Sequence, residues 1–476
     1  MKPSSQPPVL PSSFLNFCSV LFVVCLFLSS VASAAPSITL SKKSGPPTSR
    51  ILVSGGGFAP NVGVDIFFGK QDKALVVTNG KGEFHDQPIY APRSAYPGKH
   101  WITALERNND KGAQQLFLVR TDWSQFHFDA DGTRLNPFEN VLNPSNVGRL
   151  DLRWSYYTSY WISSSPAVVN NVVYVGSWDN NLYALDANSG DLVWSYAMHD
   201  YVSSSPAVAE GVVYVGAGTS LYALDARTGV LLWTYKTNFY VESSPTVRSG
   251  VVYVGSEDNR VFALNAHNGA LLWSFTTGNA VYSSPAVVNG VLYVGSDDGS
   301  VYALNATTGA LQWRYLTGDT VWSSPAVANG VVYVGSNDGN VYALNAYDGT
   351  RLWRYRTGSY VSVLPAVAYG VVFVGSYDGN LYALNALTGA KRWKYRTGSN
   401  VGSSAAVANG VVYVGSDDGN LYALNACNGS LLWSYPASSH GVWSSPTVVT
   451  GMVYVGSGSG GSDGFIYAFS LKQDLE

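Results

Sequence analysis

The chain repeats itself. Trp154, Trp194, Trp233, Trp273, Trp313, Trp353, Trp393 and Trp433 follow one another at forty residues, once at thirty-nine because 216–220 is one residue short. A second landmark, the Pro of Ser-Ser-Pro-Ala-Val, stands at Pro166, Pro206, Pro245, Pro285, Pro325, Pro365 and Pro446, with Ala405 in the remaining place. Eight copies of each landmark mean eight units, and units of this length stack into repeat architectures. In one of them, 285–288 reads as a short strand and Asn289-Gly290 as a two-residue hairpin turn, since both residues tolerate positive φ. A second strand over 291–295, a turn at Asp297-Asp298-Gly299, a third strand over 301–304 and a fourth over 311–315 complete the unit. Four strands in forty residues, with no helical period, predict one blade of an all-β, eight-bladed β-propeller over 151–472.

The turn into the fourth strand carries a pattern of its own. Ala303, Asn305, Gly309 and Trp313 recur as Ala184/Asp186/Gly190/Trp194, Ala223/Asp225/Gly229/Trp233 and Ala263/Asn265/Gly269/Trp273. They return as Ala343/Asn345/Gly349/Trp353, Ala383/Asn385/Gly389/Trp393 and Ala423/Asn425/Gly429/Trp433. The Asn or Asp can bond its own turn, and the Trp offers a flat face and an N–H to an adjacent blade. This resembles the tryptophan-docking motif of PQQ-like propellers, which assigns Trp154 and its seven counterparts a structural docking role. Neither a Gly-His nor a recurring Trp-Asp signature is present, which argues against a WD40 ring. The eighth unit reaches Ile466-Tyr467-Ala468-Phe469 and stops, while 151–156 is a fourth strand with no unit before it. The N-terminal strand is therefore expected to complete the C-terminal blade and remove its open edge.

Three segments precede the ring. Residues 1–35 read as a signal peptide: Lys2, an apolar run over 17–28 too short to span a bilayer, and Ala32-Ser33-Ala34 as a cleavage site near Ala34. Residues 36–120 alternate short apolar runs with Gly, Pro and Asn, which predicts a small β-sandwich. Gly55-Gly56-Gly57-Phe58-Ala59-Pro60 followed by Val64-Asp65-Ile66 resembles bacterial Ig-like modules. Residues 121–150 read as a connector whose Asp122-Trp123-Ser124-Gln125-Phe126 and Asn146-Val147-Gly148-Arg149-Leu150 resemble the lead-in to the first blade of PQQ-type propellers. Export removes Cys18 and Cys25 with the signal, so Cys427 stays alone and no intramolecular disulfide forms. The expected location is secreted or periplasmic, as a monomer with no membrane span once the signal is gone.

Charged residues make up 12% of the chain, the net charge is −3, and Lys391-Arg392 is the most conspicuous basic run. That balance argues against electrostatic attraction to nucleic acid or anionic lipid. Function is sought where the near-identical units differ, on the face carrying the 2–3 and 4–1 connections. Five residues before the Pro landmark stand Trp161, Tyr201, Tyr240, Ala280, Thr320, Tyr360, Asn400 and Gly441; three before it stand Ser163, Ser203, Glu242, Tyr282, Trp322, Ser362, Gly402 and Trp443. Both columns are expected to ring the channel mouth. Trp161, Tyr201, Tyr240, Glu242, Tyr282, Trp322, Tyr360 and Trp443 form the candidate face for a protein or glycan partner, with packing between loops as the bland alternative. Asp179, Asp258, Asp298, Asp338, Asp378 and Asp418 read as turn chemistry before they read as a cation ring. The six histidines have no ligand spacing, the 458–464 Gly/Ser insertion reads as a loop, and no catalytic triad or metal site is assigned.

The resemblance also implies an enzymatic alternative. Quinoprotein dehydrogenases of this type, which oxidise alcohols or sugars, hold PQQ and Ca²⁺ at the mouth of such a ring. They wall the cofactor with inserted loops, and a vicinal Cys pair often covers it. Here the units stay at forty residues, no Cys-Cys pair occurs, and neither a catalytic Asp nor a Ca²⁺ ligand maps onto this sequence. The residues favour a non-catalytic binding or scaffolding ring without cofactor, as in BamB-type propellers, with lectin-like sugar binding as the third reading.

Overall fold

Each forty-residue unit forms one antiparallel four-stranded sheet in the computed structural model, which describes residues 35–109, 111–458 and 464–472. The expected signal peptide and most of the 458–464 insertion lie outside the described residues. Blades 1 to 7 begin at Ala167, Ala207, Thr246, Ala286, Ala326, Ala366 and Ala406; blade 8 begins at Thr447. The 1–2 hairpin is the expected Asn-Gly turn: Asn289 and Gly290 adopt φ of 50° and 80°. Valines on both faces of the inner strands are buried, because each blade is covered by a neighbour on either side.

Adjacent blades are locked by the tryptophans. Trp313 Nε1 donates to the Ala346 carbonyl of the next blade at 3.0 Å, and the Tyr293 hydroxyl donates to that same oxygen at 3.0 Å. The indole lies on the Gly of the following docking turn, where a Cβ at Gly349 would come within 2.7 Å of the Trp313 ring. Trp154, Trp194, Trp233, Trp273, Trp353 and Trp393 repeat the bond, and Trp433 donates to Leu150 instead. A ring of serines runs inside them. The N–H of Ser165 donates to Ser205 Oγ, and six further bonds of this kind, the last from Ser445 to Ser165, circle the channel. The circle breaks between blades 5 and 6, where Leu364 offers no acceptor.

The ring closes by strand exchange. The strand Leu150–Thr158 pairs antiparallel with Gly464–Leu471, and so supplies the outer strand of blade 8.

Residues 121–150 do more than connect. From Trp123 to Asn136 the chain runs round the inner wall of the channel and meets every blade. Val168, Val208, Val287, Val327, Val367 and Val407 donate their N–H groups to the carbonyls of Trp123, Ser124, Ala130, Asp131, Thr133 and Arg134 at 2.7–3.0 Å. Val247 donates to Gln125 Oε1, and Asn136 Nδ2 donates to the Val448 carbonyl. This belt pairs the innermost edges, which would otherwise face the channel unsatisfied. Arg134 pins it: fully buried, it donates to the carbonyls of Phe126, Ala405 and Pro446 and lies against the rings of Trp123 and Phe126. Ahead of the belt, a three-stranded and a five-stranded sheet share a core that includes Ile51, Ile66, Ile102 and Phe117. Asn140 Nδ2 ties the belt's exit to the Ala95 carbonyl of this unit at 2.8 Å.

Candidate functional site

Strands 1 and 3 of every blade run away from the upper face, so the 2–3 turns and 4–1 connections gather there and the hairpins and docking turns gather below. The belt's exit is bonded to lower-face hairpins, through Gly451 N–H to Glu139 Oε2 and Asn409 Nδ2 to the Leu142 carbonyl. The upper face therefore opens into a funnel floored by Phe126, with a cavity of about 200 Å³.

The two variable columns separate. The column three before the Pro lines the funnel: Glu242, Tyr282, Trp322 and Trp443 reach into it beside Ser163, Ser203, Ser362 and Gly402. The column five before it does not line the cavity but forms a ledge further out. The buried residue between the columns, Val321 for example, anchors the loop against Gly295 of the preceding blade, where a Cβ would meet Val321 at 2.4 Å. On the ledge, Trp161, Tyr201 and Tyr240 join Trp443 in a continuous arc through Trp178. Ring centroids are 5.8 Å apart for Trp443–Trp161, 5.0 Å for Trp161–Trp178, 4.3 Å for Trp178–Tyr201 and 5.7 Å for Tyr201–Tyr240. Tyr282 and Trp322 make a separate pair at 5.7 Å. Tyr360 is exposed and joins neither group.

Trp178 is the residue that the sequence reading missed. It lies in the 2–3 turn of blade 1, where the other units carry Glu257, Asp297, Asn337, Tyr377 and Asp417. Comparing that column across the units would have found it; attention to the neighbouring Asp column hid it. The Asp column itself is structural. Asp338 accepts the Tyr342 hydroxyl at 2.5 Å and the Gly318 N–H at 2.8 Å, and Asp378 and Asp418 repeat the arrangement. Burial alone would raise these carboxyls, but the bonds from Tyr342, Tyr382 and Tyr422 and from backbone N–H groups together hold them below their usual range.

The rim acids differ. Glu242 accepts the Tyr201 hydroxyl at 3.0 Å and Asp417 accepts Trp443 Nε1 at 2.7 Å. Burial pushes Glu242, Glu257, Asp297 and Asp417 above the ordinary carboxylate range, and at Glu257 the nearby Glu242 charge adds to it. Asp297 Oδ1 is buried without a partner among the described residues.

A family model described as outer membrane protein assembly factor BamB matches residues 128–280, 219–323, 268–405 and 396–474. The chain belongs to this PQQ-like, BamB-type family. No curated protein matches it. Among solved structures, a europium-containing methanol dehydrogenase is similar at a TM-score of 0.65 and 16% identity, covering 74% of this chain and 98% of that one. BamB from Moraxella catarrhalis is similar at 0.59 and 20%, covering 67% and 99%. The quinohemoprotein alcohol dehydrogenase from Comamonas testosteroni is similar at 0.66 and 18%, covering 75% and 81%. At these identities the likeness is one of fold.

The fold is thus shared by dehydrogenases and by BamB, and the funnel's chemistry can be tested against PQQ, the cofactor that the sequence resemblance implies. PQQ is a planar polycarboxylate, and Ca²⁺ takes six to eight oxygen ligands. The residues lining the funnel include no Lys or Arg to neutralise those carboxylates. Its volume also falls below the ~300 Å³ at which ligand pockets usually begin. Among the described residues, no three His, Cys, Asp or Glu side chains converge as a metal cluster. The residues present do not fit PQQ with Ca²⁺.

Proposed function

We propose that this protein is an exported, non-catalytic binding module that holds a protein or glycan partner of the cell envelope or extracellular space on its upper face. The observation that carries this reading is the arc Trp443–Trp161–Trp178–Tyr201–Tyr240, a continuous aromatic surface beside a shallow funnel. Rings held against one another at a rim offer broad contact area at little entropic cost, and the flat face of a sugar or of a partner's side chain fits them. The carboxylates beside the arc, Glu242, Glu257 and Asp417, are acceptors, so the partner presents N–H or O–H donors. Family membership supports an envelope role. Among the described residues no helix is long and apolar enough to cross a membrane.

The test is capture of partners and glycan-array binding by wild type and by Trp178→Ala, whose side chain is only half-buried. The variant is expected to melt with wild type and to lose binding by tenfold or more. Retained binding would remove the arc from the site. Tight, stoichiometric calorimetric binding of PQQ with Ca²⁺ would replace this reading with the dehydrogenase.

A further inference from the structure

The outer strand of each blade faces solvent, and its sequence can be compared unit by unit. Blades 1 to 4 and 7 read LVWSYA, LLWTYK, LLWSFT, LQWRYL and LLWSYP. Blade 5 reads RLWRYR and blade 6 KRWKYR. Arg351, Arg354, Arg356, Lys391, Arg392, Lys394 and Arg396 are all exposed, so seven of the chain's 28 cations lie on two neighbouring strands. None of the seven has an ion pair among the described residues; Arg351 reaches only the Tyr315 hydroxyl, at 3.4 Å. The net charge of −3 conceals this flank, and so does the spacing along the chain, which leaves no basic run longer than the two residues of Lys391-Arg392.

A second feature singles out the same two blades. Two residues after the docking-turn Asn or Asp, other units carry Asn188, Arg227, His267, Thr307 and Cys427. Blade 5 carries Tyr347 and blade 6 carries Leu387, 90% and 86% exposed. Each turn is fixed by its own Asn, Asn345 Oδ1 accepting the Tyr347 N–H and Asn385 Oδ1 the Leu387 N–H, so the apolar side chains project from rigid tips. Four residues later the basic strands begin. Asp348 is the carboxylate within these two turns.

We infer that the outer flank of blades 5 and 6 docks peripherally on an anionic bilayer surface, with Tyr347 and Leu387 entering the interface and the seven cations facing headgroup phosphates. Unpaired cations beside exposed apolar tips match a surface that is negative outside and apolar just beneath. A soluble polyanion would use the cations and leave the tips idle. This inference goes beyond the upper-face reading and departs from the expectation drawn from net charge.

Co-sedimentation of the full chain with phosphatidylcholine vesicles, with and without phosphatidylglycerol, tests it. The apolar N-terminal run is common to every sample, so differences between variants read the flank alone. Wild type should prefer the anionic vesicles, and R354Q/R356Q/K394Q/R396Q should weaken that binding by about fivefold per cation removed. Added salt should weaken it further. Y347S/L387S should weaken it about tenfold through lost apolar burial. An unchanged melting temperature shows that each variant is folded. Equal binding of wild type and the charge variant overturns the inference. So does full binding by Y347S/L387S with displacement by soluble polyphosphate, which would reassign the flank to a soluble polyanion.

Discussion

Tryptophan serves two purposes in this chain, and the repeat tells them apart. Trp313 occupies a position where every unit has Trp, and it is buried, hydrogen-bonded and seated on a glycine. Trp178 occupies a position where almost every unit differs, and it stacks on Tyr201 at the surface. Replacing Trp313 by Ala should cost about 3–5 kcal/mol, as a lost buried aromatic does, and chemical denaturation measures it. A loss below about 1 kcal/mol would mean that one docking contact is dispensable to the ring. Constancy between units made the docking set legible from sequence alone. The variable set was legible only as a list, because stacking partners come from different turns; Trp178 meets Tyr201 of the next blade, a neighbour that no single-column comparison reveals.

At the scale of elements the least legible piece was the belt. Residues 123–136 have no period and sit in a connector, 121–150, rich in Asn, Asp and Pro, the marks of a loop, and their bonds go to strands up to about 310 residues away. Nothing local encodes that pairing; it follows from eight inner edges needing partners. The belt also carries a buried titration. His127 is enclosed, and burial first, with the Arg134 charge second, lowers its pKa from 6.5 to about 3. The unfolded chain therefore takes up a proton near 6.5 while the folded chain refuses it. Stability tied to His127 is complete above about pH 6.5 and falls by about 1.4 kcal/mol per pH unit as pH drops towards 3. Asp129 works the other way: burial, then Asp131, raises it to about 6, so its share is present below about 4 and fades as pH rises through 6. The two slopes oppose each other between about 4 and 6, and substitution separates them. The stability difference between wild type and His127→Gln should shrink as pH is lowered from 7 to 4, while that for Asp129→Asn should grow. A pH-independent difference for His127→Gln would remove that side chain from the sealed interior.

At the scale of the molecule, one stretch of chain holds the ring twice. Residues 123–136 pair with the inner strand of every blade, and 150–158 then leave the channel to become the outer strand of blade 8. A ring of eight similar blades has little intrinsic seam, since seven of the eight interfaces seat a Trp on the docking-turn Gly of the next blade. The seam is created by the chain ends, and a chain closed only by contacts between its first and last blades could open there at the cost of a single interface. Strand exchange puts a backbone ladder in place of that weak point: opening it breaks eight residue pairings, Leu150 with Leu471 through Thr158 with Gly464. It also releases the serine bond from Ser445 to Ser165 and the Trp433 bond to Leu150. Deleting 150–158 should therefore lower the melting temperature of the whole ring and replace one cooperative transition with a broad one, because blade 8 loses its outer edge and exposes Gly464–Leu471. Calorimetry distinguishes the outcomes. An unchanged, single transition in the deletion variant would mean that the belt alone holds the ring closed and that the exchanged strand is an ornament of blade 8.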